Sequence, residues 1–249
     1  MELLASISSL EWALIATSGL LIGMNKAGLM GAAMAAIPIM AGIFGAQLSV
    51  GVILPMLIVA DVVAVIYYRQ HADWGIVLRL LPWTLVGIGV GAVVGDAIPE
   101  SSFRLLLAIV VLAGVVLLGY KEFFHRDVNV PERWYLSAIL GLLAGFATMV
   151  GNAAGPIMTL YLLSMGLSKN QFIGTGAWFY FVVNLLKVPL HVVFWKTITL
   201  ETLTVDLLAA PVIVAGGLLG LVLVRHIKER PYRVFILVIT AVISVRLFL

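Results

Sequence analysis

Residues 23–31 read Gly-Met-Asn-Lys-Ala-Gly-Leu-Met-Gly: a lysine, an asparagine and three glycines between two apolar stretches, 12–22 and 32–44. Neither flank is long enough for a comfortable membrane crossing. The run 12–24 is 13 residues, roughly 20 Å of helix against a hydrocarbon core of about 30 Å. Broken backbone and a charge at that depth are tolerated only where protein or a water-filled cavity covers them. Residues 146–156, Phe-Ala-Thr-Met-Val-Gly-Asn-Ala-Ala-Gly-Pro, repeat the plan. Two broken-helix hairpins therefore organise the chain.

Outward from the hairpins the sequence is apolar. Of 249 residues, 63% are hydrophobic and 11% charged, against about 25% charged in a soluble domain. The alternating segments of about ten residues that mark an outer-membrane barrel are missing. The expected fold is an all-α polytopic membrane protein, one transmembrane domain over residues 1–249. Spans are expected at 48–68, 76–95 and 103–120, then, after a polar connection at 121–133, a second hairpin at 134–165 and spans at 171–194, 203–224 and 232–249. The halves match in order. Gly19-Leu-Leu-Ile-Gly23 mirrors Gly141-Leu-Leu-Ala-Gly145, Ile37-Pro-Ile-Met40 mirrors Gly155-Pro-Ile-Met158, and Phe103-Arg104 mirrors Tyr232-Arg233. Gly51 and Asp61 fall opposite Gly174 and Asn184, both at an offset of 123. Two repeats are read, about 10–120 and 134–249, each a hairpin plus three transmembrane helices.

Loop charges set the topology. Arg69 and Arg79 mark one connection as cytoplasmic, and the acidic stretch 96–100 is outside. Lys121, Arg126 and Arg133 are inside, as is Lys169; residues 196–201 are outside; Arg225, Lys228 and Arg230 are inside. This alternation holds if each hairpin returns to the side it entered from, so the repeats are inverted and both termini face outside. If every hairpin arm crosses, the count rises from six spans to ten. Inverted repeats with broken helices are a recurring secondary-transporter plan, with the site near the midplane. The N-terminus, with Glu2 and Glu11 and no early Lys or Arg, lacks the basic region of a cleaved signal peptide. The absence of cysteine excludes disulfides and thiolate chemistry. A net charge of only +3, concentrated in loops, points to orientation signals rather than nucleic acid. The bilayer is the expected partner, a homo-oligomer is compatible, and no cofactor is expected.

Tyr180, Asn184, Lys187 and His191 recur at spacings of four, three and four, one polar stripe on an apolar helix. Such residues face a bundle interior or an aqueous path. The competing reading is that Lys187 snorkels to the interface, with His191 interfacial beside it and Tyr180 a packed aromatic. Lys26 lies in the first break and Asn152 in the second. Helix N-termini after those breaks would aim free N–H groups inward. With Asn25, Lys26, Lys187 and Asn152 they would form an anion cradle; the alternative for Lys26 is a surface anchor at a hairpin tip. Gly28, Gly31, Gly151 and Gly155 allow sharp turns and close approach, or serve helix packing. Asp61 reads as the one carboxylate well inside a span. It could pair with Lys26 or Lys187 as a structural partner, and it could also bind a proton during transport.

Gly23-x-Asn-Lys-x-Gly28, Ala36-Ile-Pro38, Leu54-Pro55, Asp61, the turn from Tyr68-Arg69 to Asp73-Trp74, and Leu81-Pro82 resemble the TauE/SafE-type sulfite exporter family. In the second half so do Gly155-Pro156, Tyr161-Leu-Leu, Lys169, Phe172-x-Gly-Thr175 and Asn184-Leu-Leu-Lys187-x-Pro189. The resemblance covers nearly the whole chain. It implies a transporter of the cell inner membrane that moves small sulfur-containing anions, such as sulfite or organosulfonates, without ATP. Relatives often carry a histidine where this chain has Asn152. An anion channel is the alternative, and an intramembrane enzyme the weaker one. No Gly-x-Ser-x-Gly elbow, His-Glu-x-x-His pair or Walker A loop is present. Nor do His71, His125, His191 and His226 have metal-ligand spacing.

Overall fold

A computed structural model describes residues 6–94 and 134–246, together with Leu4. Among the described residues every regular element is helical: α1 Ser9–Lys26, a single 3₁₀ turn Ala32–Met34, α2 Ala36–Phe44, α3 Ala46–Tyr68, α4 Trp74–Val94, α5 Trp134–Gly151, α6 Gly155–Ser164, α7 Lys169–Val193, α8 Leu200–Arg225 and α9 Glu229–Arg246. Five of these (α3, α4, α5, α7 and α8) are long and apolar enough to cross a membrane. The spans expected at 48–68, 76–95, 171–194 and 203–224 correspond to α3, α4, α7 and α8; the one expected at 232–249 falls on α9, which is not among those five. The span expected at 103–120 and the connection 121–133 lie outside the described residues.

One expectation is corrected. The first hairpin arm is not a 13-residue stub. Helix α1 has 18 residues, about 27 Å of rise. Both ends extend past polar residues that mark limits in the sequence. Ser8 caps the helix: its Oγ accepts the Glu11 N–H, and the Glu11 carboxylate accepts the Ser8 N–H in return, a capping box that draws Glu11 into the first turn. At the other end Lys26 stays helical because its charge is met inside the protein. Helix α5 also has 18 residues. The return arms α2 and α6 have 9 and 10, only about 14 Å.

The turns explain the breaks. Gly28 stands at φ 113. The Leu29 N–H reaches the Met24 carbonyl at 3.0 Å and the Gly28 N–H the Asn25 carbonyl at 3.2 Å, the paired bonds of a Schellman stop. The Gly31 N–H then donates to Asn25 Oδ1 at 2.8 Å, fastening the turn. In the second hairpin the left-handed residue is Asn152, at φ 53; asparagine is one of the few residues that tolerate it. Pro156 then sits in the first turn of α6, where its missing N–H costs nothing.

The chain forms two compact units. The first comprises Met1–Gln70 and Ala177–His226, and the second His71–Gly176 and Ile227–Leu249. In the first, α1 packs on α8 around Ile15, Ile22, Val205, Ala209 and Ile213, with Met40, Val52, Ile53 and Met56 closing the core. In the second, α4 packs on α5, Phe172 meets Tyr232 edge-on at 6.2 Å, and the Asp73 N–H donates to Thr175 Oγ1 at 2.9 Å.

Both helix pairs are joined by glycines four apart. A β-carbon on Gly23 would run into the Ile213 carbonyl, and one on Gly216 into the Leu20 carbonyl; Gly19 and Gly220 face Ile213 and Met24. In the second unit a β-carbon on Gly145 would strike the Thr84 carbonyl, and one on Gly87 the Leu142 carbonyl; Gly141 and Gly91 face Trp83 and Met149. Contact positions rise together along each pair, so the paired helices run parallel. These are small-residue seams that let backbones touch.

Candidate anion site in the first unit

The polar residues of the first unit meet where α1 ends. Lys26 is the last residue of α1, and its side chain is 8% exposed. Its Nζ lies 2.9 Å from Asp61 Oδ1 on α3. The contact is a buried ion pair. The other carboxylate oxygen accepts a 2.7 Å hydrogen bond from Asn184 Nδ2 on α7. The Lys26 ammonium also stands 3.9 Å from the centre of the Tyr180 ring, a cation–π contact that gains strength when water is excluded. One turn beyond Asn184, Lys187 is completely buried, with Lys26 and Asp61 both in Coulombic reach.

This decides several alternatives. Lys187 does not snorkel, and Lys26 is not a surface anchor. Asp61 pairs with Lys26, and Tyr180 offers its ring face to a cation. His191 is also fully buried rather than interfacial. Its Nδ1 shares a 2.8 Å hydrogen bond with Thr197 Oγ1, and its ring stands edge-on to Trp195 at 5.2 Å. Asn25 and Gly28 shape the turn just beyond Lys26. Gly151, Asn152 and Gly155 belong to the second unit, as the last residue of α5, its left-handed stop and the first residue of α6. Space is open where a β-carbon on Gly151 or Gly155 would lie.

Another expectation fails. Asp61 is not the one buried carboxylate in a span: Asp206 on α8 is 5% exposed, with no hydrogen-bond partner on either oxygen. The signal was present in Leu203-Thr-Val-Asp-Leu-Leu208. It read as the edge of a span starting at 203, but Thr199 caps α8 through Thr202 and starts the helix earlier, placing Asp206 inside it. Thr197, the partner of His191, carries no sequence signal of its own. Among the described residues no group of three or more His, Cys, Asp or Glu could hold a metal ion.

Long apolar helices, two interrupted hairpins and a buried charged cluster define an integral membrane protein of the transporter type. The family model described as Sulfite exporter TauE/SafE matches residues 15–247, and the chain belongs to that family of membrane transporters. None of the curated proteins matches it.

Proposed function

We propose that the protein is a secondary transporter of a small sulfur-containing anion, such as sulfite or an organosulfonate, and that the anion binds at the Lys26–Asp61–Tyr180–Asn184–Lys187 cluster. One observation carries the reading. Among the described residues of the cluster, two buried ammonium groups stand against one carboxylate. Charges buried this deeply need compensation. A bound monoanion would bring the two ammonium groups and one carboxylate of the cluster to neutrality. Asp61 then serves as a fixed partner that holds Lys26 in position and keeps the site from being doubly positive when empty. Asn184 has one amide N–H on Asp61 and further capacity for an oxyanion.

The paired architecture supports the transporter reading. Each unit contains one 18-residue arm, one half-length return arm and one glycine seam of the same spacing. That duplication fits two inverted repeats in an inner membrane, with Gly151, Asn152 and Gly155 as counterparts of the first break.

Anion binding to the purified protein tests the site, with sulfite, thiosulfate, sulfonates and carboxylates as the panel. A buried charge-assisted hydrogen bond contributes about 1.5–3 kcal/mol. Lys26→Met and Lys187→Met should therefore each weaken the preferred anion roughly 10- to 150-fold. Wild-type affinity in both variants would remove the cluster from the site. Saturable counterflow in proteoliposomes would distinguish a transporter from a channel.

A further inference from the structure

Asp206 has no place in the anion site. Its flanking residues Val205 and Ala209 belong to the apolar core formed with Ile15, Val52, Ile53 and Met56. Neither carboxylate oxygen has a hydrogen-bond partner. The titratable groups on the surrounding elements are otherwise placed. On α1, Glu11 is tied to Ser8 and Lys26 to Asp61. On α3, Asp61 is held by Lys26 and Asn184, Tyr67 is exposed and Tyr68 lies at the helix end. Helix α2 has no titratable residue. On α7, His191 bonds Thr197 through Nδ1 while its Nε2 is buried without a hydrogen-bond partner, Tyr180 faces Lys26, and Lys187 lies within reach of Lys26 and Asp61. On α8 itself, Glu201 and Arg225 occupy the first and last turns.

The seam gives the register. Gly220 faces Met24 and Ala27, beside Lys26, and Gly217 faces Val63, two residues on from Asp61. Asp206 is therefore 14 and 11 residues back along α8 from those levels, about 21 and 16 Å by helix rise. That is too distant to share the charges of Lys26 and Asp61, and among the described residues Asp206 is a carboxyl group in an apolar core with no hydrogen-bond donor. An ionised carboxylate in such a setting is so poorly solvated that the group takes up a proton instead.

We propose that Asp206 is a proton-binding group of the transport cycle: it holds a proton in the conformation described here and releases it when water reaches α8 in another. The step is a simple exchange. Water on one side of the membrane delivers a proton to the carboxylate, and the O–H bond formed is later broken to water on the other side. The proton's role in transport rests on the function proposed above; its presence on Asp206 does not.

Two measurements test the idea. Infrared spectroscopy of the wild-type protein at neutral pH should show the carbonyl stretch of a protonated carboxylic acid, removed by Asp206→Asn. If the wild type shows only ionised carboxylate bands, the proposal is overturned, even if the variant cannot be purified. In proteoliposomes, Asp206→Asn should retain anion exchange at symmetrical pH and lose accumulation driven by a pH gradient. Gradient-driven accumulation equal to wild type would also overturn it. If the wild-type protein bound no anion at all, the function proposed above would fall, and the infrared band would still decide the state of Asp206.

Discussion

Asp61 and Asp206 are both buried carboxylates on spanning helices, and their surroundings give them opposite roles. Asp61 is clamped by an ammonium and an amide, so Asp61→Asn strands Lys26 in the interior. Removing one partner of a buried pair costs about 3–5 kcal/mol. We expect a lower unfolding temperature in detergent, whereas Asp206→Asn should chiefly change the response to a pH gradient. An unchanged unfolding temperature would mean that the ion pair does not stabilise the fold. Asn152 invites a similar separation. At φ 53 glycine fits the backbone better than any other replacement, so Asn152→Gly should lower the unfolding temperature less than Asn152→Leu. If Asn152→Gly weakens anion binding at equal stability, the amide is a ligand as well as a helix stop. The polar stripe on α7 and the lysine in the first break were legible in the sequence, because charge inside an apolar run is conspicuous. The choice of partners was not. Lys26, Asp61 and Asn184 come from three helices, and sequence spacing orders residues only along one.

Among the elements, hairpin positions were legible from Gly, Asn and Pro, but the length of α1 was not. Polar residues look like helix limits until a capping box or a buried ion pair is seen to absorb them. The glycine pairs were legible as a repeat, but their partners were not: each faces the other half of the sequence, since α1 meets α8 and α4 meets α5. Gly23→Ala and Gly145→Ala should each cost about 1–3 kcal/mol, the usual cost of overpacking, because the β-carbon meets a carbonyl that cannot rotate away. Gly42→Ala and Gly89→Ala have nothing within 4 Å and should be neutral, or stabilising by up to about 1 kcal/mol through helix propensity. Thermal unfolding of the four variants side by side checks the contrast. Each first-unit seam helix has an acid in its first turn and a base in its last, Glu11 and Lys26 on α1 and Glu201 and Arg225 on α8. That placement suits the dipoles of two helices lying parallel.

For the whole molecule, loop charge predicts that the α3–α4 connection is cytoplasmic and the α7–α8 connection external. The chain has no cysteine, so Gln70→Cys and Lys196→Cys each introduce a single reporter. An impermeant thiol reagent added outside intact cells should label position 196 and spare position 70; the opposite pattern would invert the topology. The compact units do not follow the sequence halves, because α8 joins the first unit and α4 the second. Only packing reveals that exchange; periodicity along the chain cannot. The seams also shape how the gene can vary. At Gly19, Gly23, Gly87, Gly91, Gly141, Gly145, Gly216 and Gly220 a β-carbon meets a neighbouring helix, and every missense change of a glycine codon adds one. These codons have no conservative neighbour in the genetic code. In a saturation library selected for function, only synonymous changes should persist there, giving pairs of empty columns four codons apart, two pairs in each half of the gene.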